Sequence, residues 1–232
     1  MSILSLEHIS YGYIDGNKKR MILNDLSYNF ERGKLYTILG PSGSGKTTLL
    51  AMAGGLEKTQ FGNVIFEGKN ISDIGLGKYR KNYLSLVFQQ FNLIPYLTAV
   101  ENVVNVMEIT DNKVPKPYYV TALNLLNKFG IVKSKAERSV LKLSGGEQQR
   151  VAIARGLATN VDLIMADEPS GNLDTATEKE IIKIFRSLAK DYNKCVIVVT
   201  HSEGVSSLSD IQLELKDGKL SERGEDLNGS PK

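Results

Sequence analysis

Four short apolar runs stand out along the chain, at residues 34–39, 83–87, 161–166 and 194–200, each bounded by polar residues. Three are nearly unbroken, the pattern of parallel strands covered on both faces. Helical patterns follow two of them, at 46–52 and 176–190. Strand then helix, repeated, predicts a parallel α/β sheet. Residues 2–10 and 24–30 instead alternate apolar and polar, and with 62–68 they suit antiparallel strands packed on one side.

The middle of the chain changes period. Thr98 with Glu101, and Ser144 with Glu147, have the spacing of capping boxes, and residues 119–129 carry apolar positions at helical spacing after the breaker Pro115-Lys116-Pro117. We divide the chain as one domain of three parts. Residues 1–90 and 161–220 form an α/β core with an antiparallel β part, and 91–160 form an inserted helical subdomain. Residues 221–232, polar with glycine and proline, are expected to be a mobile tail.

Composition narrows the class without choosing the chemistry. The 232 residues carry 29 Lys and Arg against 26 Asp and Glu, a net charge of +3 that lacks the basic stripe nucleic acid requires. Hydrophobic residues make up 41% and charged residues 24%, a globular balance. A single cysteine, Cys195, excludes an internal disulfide and a cysteine metal cage, and reads as a small buried hydrophobe. Residues 1–10 lack a basic n-region, and no run approaches the roughly 18 apolar residues of a membrane span, so a soluble, cytoplasmic chain is expected.

The chemistry lies in three segments. Gly40-Pro41-Ser42-Gly43-Ser44-Gly45-Lys46-Thr47 fits G-x-x-x-x-G-K-[ST] in full, after a strand and before a helix. Its glycines let backbone N–H groups wrap a phosphate, Lys46 supplies charge to the β- and γ-phosphates, and Thr47 a hydroxyl to Mg²⁺. Asp167 and Glu168 end the apolar run before them; the first suits Mg²⁺, the second a general base acting on water. Leu143-Ser144-Gly145-Gly146-Glu147-Gln148-Gln149-Arg150 offers a second helix N-terminus suited to an anion, although Ser144 and Glu147 would cap an ordinary helix equally well. Two such helix ends suggest two nucleotides, or one shared between chains.

Leu143 to Gln148 resembles the signature motif of the ATP-binding-cassette (ABC) transporter ATPases, and the resemblance extends over about residues 4–220. Gln89 matches the family's Q-loop glutamine, with Gln90 the alternative that strand register disfavours. Asn172-Leu173-Asp174 matches its D-loop, His201 its switch histidine, and Tyr13 the aromatic residue that stacks on adenine, with Tyr11 two residues away as the alternative. Phe91-Asn92-Leu93-Ile94-Pro95 and the stretch from Asp167 to Asp174 are similar to the lipoprotein-release (LolD) and macrolide-export (MacB) subgroup. Val140 stands where relatives often have proline, Ser202 where Asp or Asn is frequent, and Pro115-Lys116-Pro117-Tyr118-Tyr119 where a charged helical run is common.

The resemblance implies a P-loop NTPase core, a parallel sheet with flanking helices, plus the antiparallel β subdomain and the inserted helical subdomain. It implies ATP held by Tyr13, Gly40, Ser42, Gly43, Ser44, Gly45, Lys46, Thr47, Thr48, Gln89, Ser144, Gly145, Gly146, Glu147 and Asp174. Mg²⁺ would lie among Thr47, Gln89 and Asp167, and catalysis would rest on Glu168, His201 and Lys46. It further implies a head-to-tail homodimer on ATP binding and a separate integral membrane permease, of the four-span type with a large extracellular domain. The chain would then act at the cytoplasmic face of the cell membrane, on peptide, lipoprotein or antimicrobial-type cargo, without nucleic acid. Apolar Phe91, Leu93, Ile94 and Tyr96 suggest where the permease docks.

Overall fold

The computed structural model of the chain describes residues 2–15, 18–169 and 174–223. The N-terminal alternation develops into two strands of 14 residues each, β1 (Ser2–Asp15) and β2 (Lys18–Glu31), paired antiparallel. They run well beyond the expected 2–10 and 24–30. Register shifts between Leu6 and Ile9, and again around Tyr11 and Gly12, reset the period of two, so strict alternation loses the strand at each shift. His8 and Asp25 sit there with φ of 53° and 52° and pair at 2.7 Å on the surface.

Eight further strands follow: β3 (Leu35–Leu39), β4 (Phe61–Phe66), β5 (Lys69–Asn70), β6 (Leu84–Phe88), β7 (Leu163–Asp167), β8 (Cys195–Val199), β9 (Ile211–Lys216) and β10 (Lys219–Glu222). One sheet has the order β2-β1-β4-β5 and is antiparallel. The other has the order β10-β9-β3-β8-β7-β6, parallel throughout except for the edge strand β10. β10 takes in Ser221 and Glu222, the first two residues of the expected tail; residues 224–232 lie outside the described residues.

The helices are α1 (Lys46–Ala53), α2 (Ile71–Ile74), α3 (Leu76–Asn82), α4 (Ala99–Ile109), α5 (Tyr118–Lys128), α6 (Lys133–Ala136), α7 (Gly145–Leu157), α8 (Thr175–Lys190) and α9 (Glu203–Ser206). Three apolar clusters hold them. One fills the space between the two sheets and takes in Leu4, Phe30, Tyr36, Leu49 and Leu215. A second lies under α8, where Ile181 and Phe185 meet Ile164 and Val196. The third belongs to α4–α7, with Val100, Val103, Leu126 and Val151 fully enclosed. Cys195 is buried and its thiol is pushed up to about 12 by that burial, so it behaves as core.

Both capping boxes form: Thr98 Oγ1 accepts from the Glu101 N–H at 3.2 Å, and Ser144 Oγ from the Glu147 N–H at 3.3 Å. α7 ties the second and third clusters together, because Ile153 points into one and Val151 and Ala154 into the other. Gln149, one turn before Ile153, is fully buried, with both amide atoms unpaired among the described residues. An unpaired buried amide costs about 1–3 kcal/mol. Gln149→Met keeps the length and removes the amide, so we expect a urea midpoint raised by the equivalent of about 1 kcal/mol. A lowered midpoint would mean that the amide finds a partner in solution.

Candidate functional site

The parallel register decides where the chemistry gathers. Ile38 pairs with Val199, Val199 with Asp167, and Asp167 with Phe88, so the ends of β3, β8, β7 and β6 lie level along one sheet edge. The residues that follow those strands therefore converge: Gly40 after β3, Glu168 after β7, His201 after β8 and Gln89 after β6. In open parallel sheets this C-terminal edge is where ligands bind. A cavity of about 410 Å³ opens there, lined by the loop before α1 with Tyr11, Tyr13, Ile22, Asp167, Glu168 and His201. A more open cavity of about 740 Å³ between β1, β2 and β10 contains none of the phosphate-loop or carboxylate groups.

The phosphate loop is shaped by its backbone. Gly45 has φ 101°, and a Cβ there would stand 2.6 Å from Ile22 Cγ2, so no other residue fits at the start of α1. No side chain caps α1. Its first N–H groups thus face the cavity as an anion site, reinforced by the helix dipole. Lys46 is buried, and its ammonium donates to the carbonyls of Gly40 at 2.8 Å and Pro41 at 3.1 Å. Ser42, Gly43, Thr47 and Thr48 line the cavity, and the buried Ser44 hydroxyl has no partner among the described residues.

Asp167 closes β7 with Oδ1 buried and unpaired, and burial raises its carboxyl above the ordinary aspartate range against the pull of Thr47 and Lys46. Glu168 follows with φ 46°, a left-handed conformation that costs a non-glycine residue about 1 kcal/mol. Its N–H donates to Val199 O at 2.9 Å, which holds the turn. Its Oε1 stands 2.9 Å from His201 Nδ1, with the imidazole exposed and the carboxylate mostly enclosed.

Other expected residues lie around this centre. Tyr11 and Tyr13 both reach the cavity, but Tyr11 packs against the core while Tyr13 is exposed. The Gln60 amide pins Gly12 between them, accepting from its N–H at 3.0 Å and donating to its carbonyl at 2.7 Å. Ser144, Gly145, Gly146 and Glu147 begin α7 and do not line this cavity. Gly146 faces α8 so closely that a Cβ would stand 2.6 Å from Thr177 Cγ2. Asp174 caps α8, accepting from the N–H groups of Ala176 and Thr177 and from the Thr177 hydroxyl. Asn172 and Leu173 lie outside the described residues. Beyond Gln89, Phe91 and Asn92 take φ of 60° and 49°, and Arg155 of α7 donates to both their carbonyls, at 3.1 Å and 2.5 Å. Ile22 is a lining residue that motif spacing did not reveal, because it reaches the site only through the pairing of β2 with β1.

The chain is similar in sequence and fold to known proteins. Residues 23–171 match the ABC transporter family. The chain is 47% identical over 220 residues to YclH, an uncharacterized ABC transporter ATP-binding protein of Bacillus subtilis (strain 168), with 95% of this chain and 96% of YclH covered. It is 39% identical over 218 residues to the lipoprotein-releasing system ATP-binding protein LolD of Rickettsia bellii (strain RML369-C), covering 94% and 97% of the two chains. The dimeric structure of the bacterial ABC transporter cassette MJ0796 aligns with a TM-score of 0.86 at 36% identity over 95% of this chain and 97% of that one. A dimeric post-hydrolysis state of that cassette, bound to ADP and Pi, gives the same TM-score of 0.86 at 35% identity over 95% and 97%. With matches that span nearly its whole length, the chain belongs to the ABC transporter family, as one of its ATP-binding, ATP-hydrolysing subunits.

Proposed function

We propose that two copies of the chain close head to tail on two ATP molecules and drive a separate integral membrane permease. The observation that carries this reading is the separation of two anion sites. The phosphate loop faces its own cavity, whereas the exposed start of α7 at Ser144 and Gly145 lies off it and is free to serve the cavity of a second chain. That MJ0796 is dimeric in both of its structures supports the pairing of two copies.

Within one site the chain's own groups divide the work. Loop N–H groups wrap the phosphates, and Lys46 exchanges two loop carbonyls for the β- and γ-phosphate oxygens. Tyr13, more open than Tyr11, stacks on adenine. Glu168 takes the proton of the attacking water, and His201, with Nδ1 on Glu168, keeps Nε2 for the γ-phosphate. Mg²⁺ fits the buried, unpaired Asp167 oxygen beside the Thr47 hydroxyl, with Gln89 at the neighbouring strand end. Among the described residues no cluster of three His, Cys, Asp or Glu could cage a metal, so the ion would be held by Asp167, Thr47 and Gln89 together with the nucleotide rather than by the protein alone. When bound, the ion neutralises charge developing on the β- and γ-phosphates.

Coupling runs through α7, whose first turn carries the signature and whose Arg155 grips the loop after Gln89. That loop also carries Tyr96, which is 83% exposed. Among the described residues no helix is long and apolar enough to cross a membrane. We assign the cargo path to a permease of the four-span type with a large extracellular domain, docked on this loop at the cytoplasmic face. Of the peptide, lipoprotein and antimicrobial-type cargoes, similarity to LolD, the ATP-binding protein of a lipoprotein-releasing system, supports lipoprotein. Tagged chain extracted from membranes should bring down an integral membrane protein. Tyr96→Glu should reduce that recovery by about tenfold, as expected when one exposed aromatic anchor is lost, with ATP binding intact. Undiminished recovery with a folded variant would move the docking site elsewhere.

A further inference from the structure

The signature helix carries an acidic side chain where a phosphate is to bind. Glu147 lies in the first turn of α7, and an uncompensated carboxylate there would oppose the γ-phosphate brought by a partner chain. The structure shows how it is held. Glu147 Oε2 accepts the Ser144 N–H at 2.9 Å, and Oε1 receives Lys135 Nζ at 2.5 Å. The Glu147 side chain is only 14% exposed, while that of Lys135 is 44% exposed. Lys135 comes from α6, which packs against α5 and α4 in the third apolar cluster through Ala136. It therefore reaches the signature from a separate element that the motif does not contain. The Lys135 hydrogen bond is also the chief reason the Glu147 carboxyl lies below the usual glutamate range.

We propose that Lys135 is a positioning residue of the shared ATP site: its ammonium cancels the Glu147 charge and draws that carboxylate back against its own helix. Ser144 and the N–H groups of Gly145 and Gly146 then meet the partner's phosphate as a surface without net negative charge. The inference rests on the head-to-tail reading above. It adds a cation from outside both motifs as a requirement for closing that site when the signature holds glutamate.

The test uses the Glu168→Gln chain, in which blocked hydrolysis preserves the ATP-bound dimer, with dimer dissociation measured by sedimentation in Mg-ATP. Lys135→Met should weaken the dimer by about tenfold or more, the expected scale for an unscreened like-charge contact near phosphate. ATP affinity of the monomer should stay the same, since Lys135 does not line the phosphate-loop cavity. Lys135→Arg should dimerise as the parent does. Adding Glu147→Gln to Lys135→Met should restore the dimer, because the charge to be cancelled is gone. A purely structural Lys135 would instead lower the melting temperature and leave the dimer constant unmoved. Parent-like dimerisation of Lys135→Met, or failure of Glu147→Gln to rescue it, overturns the proposal. A parent that stays monomeric at saturating Mg-ATP overturns the head-to-tail reading itself, and this inference with it.

Discussion

Glu168→Gln is expected to bind ATP as the unaltered chain does and to hydrolyse it about 10²–10⁴-fold more slowly, the usual contribution of a positioned general base. The reasoning is local. Glu168 stands at the end of β7 in a left-handed turn held by Val199, with its carboxylate against His201. A glutamine keeps the shape and hydrogen-bonds to His201, but it takes no proton from water. Light scattering in Mg-ATP should then show twice the monomer mass, reverting when nucleotide is removed. Ser144→Arg added to the same chain should abolish the dimer by filling the second anion site. Asp167→Asn should behave differently, weakening Mg-ATP binding itself, because its buried oxygen is the one suited to the cation. Rapid turnover by Glu168→Gln would falsify its assignment as base, and equal effects of the two substitutions would dissolve the division of roles.

Lys46→Met should raise the dissociation constant for ATP by about 10- to 100-fold, since a charge-assisted hydrogen bond in an enclosed site contributes about 1.5–3 kcal/mol. Turnover should fall at least as far, because the same ammonium stabilises charge that grows on the γ-phosphate. Methionine preserves the buried stem, so the α1 packing around Leu49 and Leu50 should survive and the circular dichroism should not change. Part of the loss will come from the loop itself, whose Gly40 and Pro41 carbonyls give up a shared donor. Calorimetric titration with ATP measures the binding change. Near-normal affinity in a folded variant would remove the loop lysine from the site.

How far these residues were legible depends on how local their signals are. The run at 34–39, the glycine-rich loop and the helix from Lys46 form one continuous segment, and each part is dictated by neighbours within a few residues. The capping boxes at Thr98 and Ser144 are of the same kind, because a side chain three residues away satisfies the helix end. The pair Asp167 and Glu168 was visible because an unbroken apolar strand ends abruptly in charge. Three of the parallel strands read clearly for the same reason, being buried on both faces.

Strand order was not legible. Nothing in the sequence places β3 between β9 and β8, or sets β7 beside β8, and that order alone brings Lys46, Asp167, Glu168 and His201 to one edge. The pairing of β9 with β10 and with β3 was not legible, although Ile211, Leu213 and Leu215 alternate with polar residues along β9, because alternation marks a strand and not its neighbours. β1 and β2 were read short because their register shifts break the alternation. The sequence offered Tyr13 with Tyr11 as the alternative on the same face, and the structure packs Tyr11 against the core and leaves Tyr13 exposed. Ile22 and Lys135 have no motif at all. One enters the site by cross-strand pairing and the other by an ion pair between helices, contacts set by chain segments whose meeting local sequence does not encode. By itself, the sequence determined the candidate groups and the glycine-rich loop that leads into α1. Only the tertiary structure decided which of them meet, because meeting depends on burying apolar faces that lie far apart along the chain.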